Sequence, residues 1–240
     1  MSLIYEPSGK AREYSELALN VYTQCDHGCR YCYVPSIMKP RPEGVRSRID
    51  WKQLDREAKA LDGTRRVLLC FMTDPYCHAD VRLQDTRRAL QVLIARKQPV
   101  SILTKGGRRA YRDMDLIKQG DVKVGTTLTL PDGEQLAYWE PCAAPTSERL
   151  EMLKAFHDAG VRTWASIEPV LDPRASLDLI RASLPFVDEY KVGKLNHIKA
   201  IEDRIDWTAF GRDAIDILHA AGKEYYIKND LAKYLSGASH

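Results

Sequence analysis

The sequence predicts an α/β fold arranged as a partial (β/α)6 barrel of the TIM type, smaller than a complete barrel of about 250 residues. The main observation is a regular alternation of apolar runs with amphipathic segments, which is typical of parallel strands joined by outer helices. The length of 240 residues suits one large core, and no repeat or Gly/Ser linker divides the chain. We therefore expect a single domain over 1–240, with its core at about 15–205 and a C-terminal helix and strand-like extension. An open doubly wound sheet is the alternative fold.

Six apolar runs predict the parallel strands. The most strongly apolar of them, at 66–72, is typical of a buried strand. These strands are predicted at 17–22, 66–72, 99–105, 122–130, 161–170 and 186–193, with a further strand-like segment at 223–228.

Amphipathic segments between these runs predict the helices. Asp85 suits the start of one of them, and Gly120 and Gly160 suit the ends of two others. The helices are predicted at 49–61, 85–97, 112–120, 147–160, 176–184 and 207–222.

Composition excludes several classes of protein. With 44% hydrophobic and 29% charged residues, the chain is neither disordered nor fibrous. No apolar run approaches the ~20 residues that span a bilayer, and the first 18 residues have no signal core, so we expect a soluble, cytoplasmic protein without a membrane partner. A net charge of +3 demands no polyanionic partner, although 39–48 and 105–112 are locally basic.

Three of the six cysteines lie close together after the first predicted strand. Cys25, Cys29 and Cys32 have the spacing CxxxCxxC, which is a poor disulfide framework in a reducing compartment. Three thiolates on one loop can hold three irons of a [4Fe-4S] cluster and leave the fourth iron open to a chelating ligand. The alternative is a zinc site completed by His27 or His78.

This motif, with an aromatic residue before its third cysteine, resembles the radical S-adenosylmethionine (radical SAM) superfamily. The segments 29–33, 73–76, 103–106 and 139–150 further resemble its spore photoproduct lyase-like group, also labelled DNA repair photolyase-related. The resemblance covers about 8–200. It implies a [4Fe-4S] cluster whose open iron binds S-adenosylmethionine (SAM), an external electron donor of the flavodoxin or ferredoxin type, and cleavage of SAM to methionine and a 5′-deoxyadenosyl radical.

The resemblance also implies residues that bind SAM, mostly at strand ends. Each also has an alternative role that is only structural: a loop anchor for Tyr31, a turn for Thr73 and Asp74, and a solvated side chain for Lys105. For Glu168 the alternative is a structural ion pair, and a carboxylate at that position also suits a ribose hydroxyl or a substrate amine. The predicted cofactor residues are Tyr31, Thr73, Asp74, Lys105, Thr127, Thr129 and Glu168.

Four residues are candidates for radical transfer or hydrogen return. In the lyases the tyrosine that matches Tyr33 takes part in radical transfer, helped by a cysteine on the second strand. Cys70 lies on that strand one residue out of register, so a buried apolar role competes with catalysis. Cys77 and Cys142 fall in loops expected at the barrel mouth, where either is a possible hydrogen donor.

Basic, amide and tyrosine side chains near the last strands predict the substrate side of the barrel. These are Lys191, Lys194, Asn196, Tyr225 and Lys228. They suit a nucleotide or a flipped base, and equally a carboxylated small molecule. We therefore expect a radical SAM lyase or isomerase that abstracts hydrogen from thymine or a modified pyrimidine in DNA or a nucleotide. The alternatives are radical chemistry on a peptide or small metabolite, and a zinc-dependent nucleic-acid-binding protein.

Overall fold

One eight-stranded sheet dominates the computed structural model, which describes residues 2–236. Its strands lie in chain order; the first is antiparallel to the second, and the second to the eighth run parallel. The strands are β1 (Ile4–Tyr5), β2 (Leu17–Leu19), β3 (Val67–Leu69), β4 (Val100–Leu103), β5 (Val122–Thr127), β6 (Thr163–Ile167), β7 (Glu189–Val192) and β8 (Glu224–Ile227).

The six predicted strands are β2–β7, so the predicted α/β alternation is confirmed. The strand-like segment 223–228 forms β8, which pairs in parallel with β7 and lengthens the barrel wall by one strand. The two-residue strand β1 was not predicted, because so short a segment has no hydrophobic periodicity of its own.

Helices follow most of the parallel strands, and every long predicted helix is present. Asp50, Asp172 and Asp206 cap three of them by accepting hydrogen bonds from backbone N–H groups of the first turn. The helices are α1 (Val34–Ile37), α2 (Trp51–Ala60), α3 (Asp80–Leu83), α4 (Asp85–Ala95), α5 (Met114–Ile117), α6 (Glu134–Trp139), α7 (Thr146–Asp158), α8 (Pro173–Ser183), α9 (Lys199–Glu202), α10 (Trp207–Ala220) and α11 (Asn229–Leu235), with 3-10 helices at Gly9–Glu13 and Gly107–Asp113. The predicted helix at 112–120 is thus a 3-10 helix followed by the short α5.

The two faces of the sheet pack against different layers. Side chains of alternate strand residues join the helices in the large outer core, whereas Ala18, Leu68 and Trp164 form a small core inside the barrel. Trp164 donates from Nε1 to the Ile102 carbonyl at 3.0 Å. Its ring occupies the space that a Cβ on Gly125 would need, at 2.4 Å. This inner core fills the base of the barrel and leaves the carboxyl ends of the strands open.

The segment before β2 covers the side of the barrel next to β7 and β8. The Glu13 carboxylate accepts from the Tyr226 hydroxyl at 3.1 Å and from the Asn229 backbone at 2.7 Å. Lys191 Nζ donates to the carbonyls of Glu13 and Tyr14, at 2.7 and 3.0 Å. These contacts hold the Tyr14 side chain inside the barrel. Among residues 2–236, no helix is long and apolar enough to cross a membrane.

Candidate active site

A cavity of about 650 Å³ opens at the carboxyl ends of the parallel strands. Active sites of barrel enzymes lie at this end, because the loops after the strands converge there. The cavity brings together most of the predicted site residues. Those that line it are Cys25, Cys29, Tyr31, Cys32, Tyr33, Cys70, Thr73, Asp74, Lys105, Thr127, Glu168, Lys194, Asn196 and Lys228.

The cysteine loop is held from its outer side by the segment after α6. The Arg30 backbone donates to the Trp139 carbonyl at 2.9 Å, and the Cys142 backbone donates to the His27 carbonyl at 3.1 Å. Gly28 bends the loop with a φ of +64°, which favours glycine. All three loop thiols are free, and their residues line one wall of the cavity.

These thiols fit a cluster better than a single zinc ion. Within the described residues, no three His, Cys, Asp or Glu side chains converge as one metal ion requires. A [4Fe-4S] cluster makes no such demand, because each thiolate binds a different iron. The two histidines considered for zinc each use one ring nitrogen elsewhere: His27 Nε2 accepts from Arg109, and His78 Nε2 donates to the Cys142 carbonyl at 2.7 Å. His27 Nδ1 has no hydrogen-bond partner in the described chain and lies 3.4 Å from Asp74 Oδ2.

Both oxygens of the Asp74 carboxylate accept hydrogen bonds from the protein. Its Oδ1 accepts from the Tyr76 backbone and the Thr104 hydroxyl, at 2.9 and 2.6 Å, and its Oδ2 accepts from the Lys105 backbone at 2.7 Å. Burial alone would raise the pKa of this carboxyl, but the charges of His27 and Lys105 and these hydrogen bonds hold it below its usual value. Both oxygens thus join the ends of β3 and β4, and the side chain also lines the cavity, so binding of SAM by Asp74 stays a prediction.

Thr73 and Lys105 leave polar groups unused at the cavity. The buried Thr73 Oγ1 has no hydrogen-bond partner in the described chain. Lys105 Nζ donates no hydrogen bond to residues 2–236 and lies 5.9 Å from the centre of the Tyr31 ring. Burial opposes its charge, yet neighbouring Cys29, Glu140 and Asp74 outweigh that effect and hold the pKa of Lys105 above its ordinary value. A buried donor without a partner costs free energy, so both groups suit a polar ligand.

A buried ion pair that the sequence did not reveal lies beneath Tyr31. The Tyr31 hydroxyl donates to Glu140, whose other oxygen accepts from Arg149, and both charged side chains are fully buried. Arg149 also donates to the Thr127 and Ala144 carbonyls, at 3.1 and 2.8 Å. Glu140 and Arg149 belong to the segment 139–150 that carries the family resemblance, which was the only signal for them.

Two predicted SAM residues, Thr127 and Thr129, differ in placement. Thr127 lines the cavity at the end of β5. Thr129 does not; it is fully buried, and its hydroxyl donates to Glu140 Oε1 at 3.0 Å. The expectation of a SAM contact from Thr129 is corrected, because the chain has left the strand by then and turns the hydroxyl into the ion pair.

The four hydrogen-transfer candidates separate into two pairs. Tyr33 and Cys70 line the cavity, and burial raises the pKa of the Cys70 thiol to about 12, so it stays protonated at neutral pH. Cys77 and Cys142 do not reach the cavity. Cys77 is fully buried in the outer core, and Cys142 is exposed behind the cysteine loop. Both residues lie in the connections after β3 and β5, on the expected side of the barrel, but neither side chain is placed to donate hydrogen into the cavity.

Of the five predicted substrate residues, three line the cavity and two do not. Asn196 lines the cavity and accepts from Lys10 Nζ at 3.0 Å. Lys194 lines it too, but its ammonium pairs with Glu202 at 2.8 Å. Lys191 is held by the backbone carbonyls of the 13–14 segment, where burial lowers its pKa to about 8. Lys191 and Tyr225 do not line the cavity; Tyr225 faces the outer helices, because strand alternation turns Tyr226 the other way.

Glu168 and Lys228 form an ion pair on the cavity wall away from Lys105. Glu168 Oε2 accepts from Lys228 Nζ at 2.5 Å and from the Tyr14 hydroxyl at 2.6 Å. Rings continue from there towards the cysteine loop: Tyr14 and Phe71 have centroids 5.8 Å apart, and Phe71 and Tyr33 6.5 Å apart. Sequence reasoning missed Tyr14 and Phe71, because neither belongs to a motif.

Known proteins resemble this chain in sequence and in fold. The model of the radical SAM superfamily matches residues 19–182. An uncharacterized protein of Methanocaldococcus jannaschii is 25% identical over 188 residues, covering 76% of this chain and 71% of that protein.

Two solved structures resemble the fold. A spore photoproduct lyase variant solved with a dinucleoside spore photoproduct has a TM-score of 0.73 at 13% identity, covering 92% of this chain and 78% of that one. SuiB of Streptococcus suis bound to S-adenosylmethionine has a TM-score of 0.70 at 13% identity, covering 93% and 52%. At such identities the likeness shows the fold alone, and it confirms the predicted partial barrel. The chain spans about half the length of SuiB.

Proposed function

The chain belongs to the radical SAM superfamily, whose members use a [4Fe-4S] cluster and SAM, and from that premise we propose that it abstracts hydrogen from thymine or a modified pyrimidine in DNA or a nucleotide. The reaction is of the lyase or isomerase type, a modification or repair of the base. When bound, the cluster and SAM supply one-electron cleavage and a hydrogen-abstracting radical. Cys25, Cys29 and Cys32 hold the cluster, and an external flavodoxin or ferredoxin supplies the electron.

The unused polar groups near the cysteine loop bind the amino-acid end of SAM. Lys105 is a half-buried cation at the end of β4 whose Nζ makes no hydrogen bond within the described chain, so it holds the carboxylate. The Thr73 hydroxyl, also unpartnered, receives the amino group. Tyr31 lies against the adenine, fixed by its bond to Glu140. Thr127, which lines the cavity at the end of β5, would contact the methionine or ribose part of SAM.

The observation that carries the substrate assignment is the aromatic wall that leads away from the cysteine loop. Tyr33, Phe71 and Tyr14 follow one another at stacking distances, and they end at the Glu168–Lys228 pair. Aromatic faces beside charged hydrogen-bonding groups suit an unstacked base, which needs a ring to stack on and polar groups for its edge. The fold likeness to a lyase solved with a dinucleoside photoproduct supports the same class of substrate.

Hydrogen return needs a donor at the cavity wall, and Cys70 and Tyr33 are the two candidates that reach it. The raised pKa of Cys70 keeps its hydrogen on sulfur, which suits donation of a hydrogen atom rather than nucleophilic attack.

Deuterium transfer tests this function. Oligonucleotides with thymine or 5-(hydroxymethyl)uracil, deuterated on the C5 substituent, are incubated anaerobically with the reconstituted enzyme, a reductant and SAM. We expect mass spectrometry to find deuterium in the 5′-deoxyadenosine formed from at least one of them. The undeuterated oligonucleotides are the control. Unlabelled 5′-deoxyadenosine from both substrates, with SAM cleavage accelerated by a peptide or a metabolite instead, would contradict the proposal.

A further inference from the structure

Glu168 has one carboxylate oxygen that the protein does not use. Its Oε2 accepts both hydrogen bonds, from Tyr14 and from Lys228, whereas no group of residues 2–236 donates to Oε1. The side chain lines the cavity. A Cβ on Gly193 would lie 2.8 Å from Glu168 Cδ, so only glycine at that position leaves room for this carboxylate. Glu168 therefore offers an oriented acceptor to whatever fills the cavity.

Lys228 offers donors beside that acceptor. An ammonium has three N–H donors, and the described chain uses one of them, for Glu168. The residue is only 3% exposed and lines the cavity, and its Nζ lies 4.3 Å from the centre of the Tyr14 ring. Its backbone N–H donates to the Val192 carbonyl at 2.8 Å, which fixes its position after β8. Two N–H groups of a buried cation thus remain for a ligand.

This pair is separate from the groups assigned to SAM. No hydrogen bond or ion pair within the described chain joins Glu168 or Lys228 to Thr73 or Lys105, although all four line one cavity. Tyr33 and Phe71 lie between the cysteine loop and Tyr14. Because no contact ties Glu168 and Lys228 to Thr73 and Lys105, the pair suits the substrate better than SAM, which differs from the expectation that Glu168 binds SAM.

We propose that Glu168 and Lys228 bind the imide edge of a thymine or uracil ring, with the ring N3–H donating to Glu168 Oε1 and Lys228 donating to the neighbouring carbonyl oxygen. An imide presents a donor beside an acceptor, which matches an acceptor beside a donor on the protein. This edge does not include C5 and is the same in thymine and in uracils modified at C5. The inference rests on the proposed function and deepens it, because it names the part of the base that the enzyme reads.

Methylation of N3 tests the inference on the unaltered enzyme. The probes are two trinucleotides, each with one base between two abasic sites, carrying either thymine or 3-methylthymine. Titration into the reconstituted full chain with SAM gives their Kd values. We expect methylation to weaken binding by about 5- to 150-fold, the usual value of a paired base contact.

Variants of Glu168 and Lys228 test whether these two residues cause the difference between the Kd values of the two probes. In Glu168→Gln and Lys228→Met we expect the ratio of the two Kd values to fall towards one. The matched control is Glu189→Gln, which alters another Glu–Lys pair, with Lys123; the Glu189 side chain is 17% exposed against 16% for Glu168, and neither control residue lines the cavity. We expect Glu189→Gln to keep the wild-type ratio of the two Kd values.

Equal binding of the two probes by the wild-type enzyme overturns the inference, as does binding of neither. The deuterium-transfer experiment then decides separately about the proposed function. Transfer from the C5 substituent would leave that function standing with a different mode of base recognition, and absence of transfer would remove both.

Discussion

Replacing Cys29 with alanine is expected to reduce the iron bound after anaerobic reconstitution from about four atoms per chain to nearly none. The three loop cysteines are the thiols that share the cavity wall at this point, and two thiolates leave a cluster open to solvent at two irons. SAM cleavage should fall to the rate of a sample without enzyme, because the cluster supplies the electron. Iron and sulfide analysis and chromatography of 5′-deoxyadenosine measure the two losses.

Cys142→Ala is the matched control for iron binding. This thiol is also free, and the Cys142 backbone contacts the loop, but the residue does not line the cavity. The variant should keep its iron. Full iron in Cys29→Ala, or equal loss in both variants, would show that the cluster is bound elsewhere.

Arg149→Met is expected to lower the free energy of unfolding by about 3–5 kcal/mol, because it leaves the Glu140 carboxylate buried without its cation. Both side chains are fully buried in the native protein. Burial pushes the pKa of Glu140 up, and the charges of Arg149 and Lys105 now hold it below its usual value. Without Arg149 the pKa of Glu140 in the folded variant rises. Protonation of Glu140 then removes the buried unpaired charge as the pH falls, which restores part of the lost free energy of unfolding. The difference from wild type should therefore narrow between pH 7 and pH 4.

Urea unfolding across that pH range measures the effect. Arg108→Met is the control, because Arg108 forms an exposed ion pair with Glu151, and exposed pairs contribute little. Similar small losses in the two variants, or a difference that grows as the pH falls, would contradict the role given to Glu140 and Arg149.

The strands, the helices between them and the cysteine loop were predictable, because each is recorded in a short stretch of sequence. Parallel strands buried on both faces are continuous apolar runs, so β2–β7 and the helices between them could be located from sequence. The cysteine loop was predictable for another reason: its ligands come from eight consecutive residues, and their spacing is visible without a fold. The position of Lys105 at a strand end followed from the strand itself.

Contacts between distant parts of the chain were not predictable. Glu168 meets Tyr14 and Lys228, which are 154 and 60 residues away in sequence, and no periodicity records such a meeting. The side chains of Thr129 and Cys77 do not face the cavity as predicted, because a turn beyond the strand end decides which way a side chain faces. Asp74 was placed at the correct edge, but only the structure reveals that Thr104 and backbone groups occupy its oxygens.

The most direct test of the account is electron paramagnetic resonance of the reduced, reconstituted protein as SAM is added. We expect a cluster signal that shifts on binding of SAM, because three cysteines leave one iron open and Lys105 and Thr73 bind the amino-acid end of SAM. In Lys105→Met the same shift should need about 10- to 150-fold more SAM, since one charge-assisted hydrogen bond is lost. A signal indifferent to SAM, or zinc in place of iron, would contradict the central claim that this cavity places SAM on an open-iron cluster.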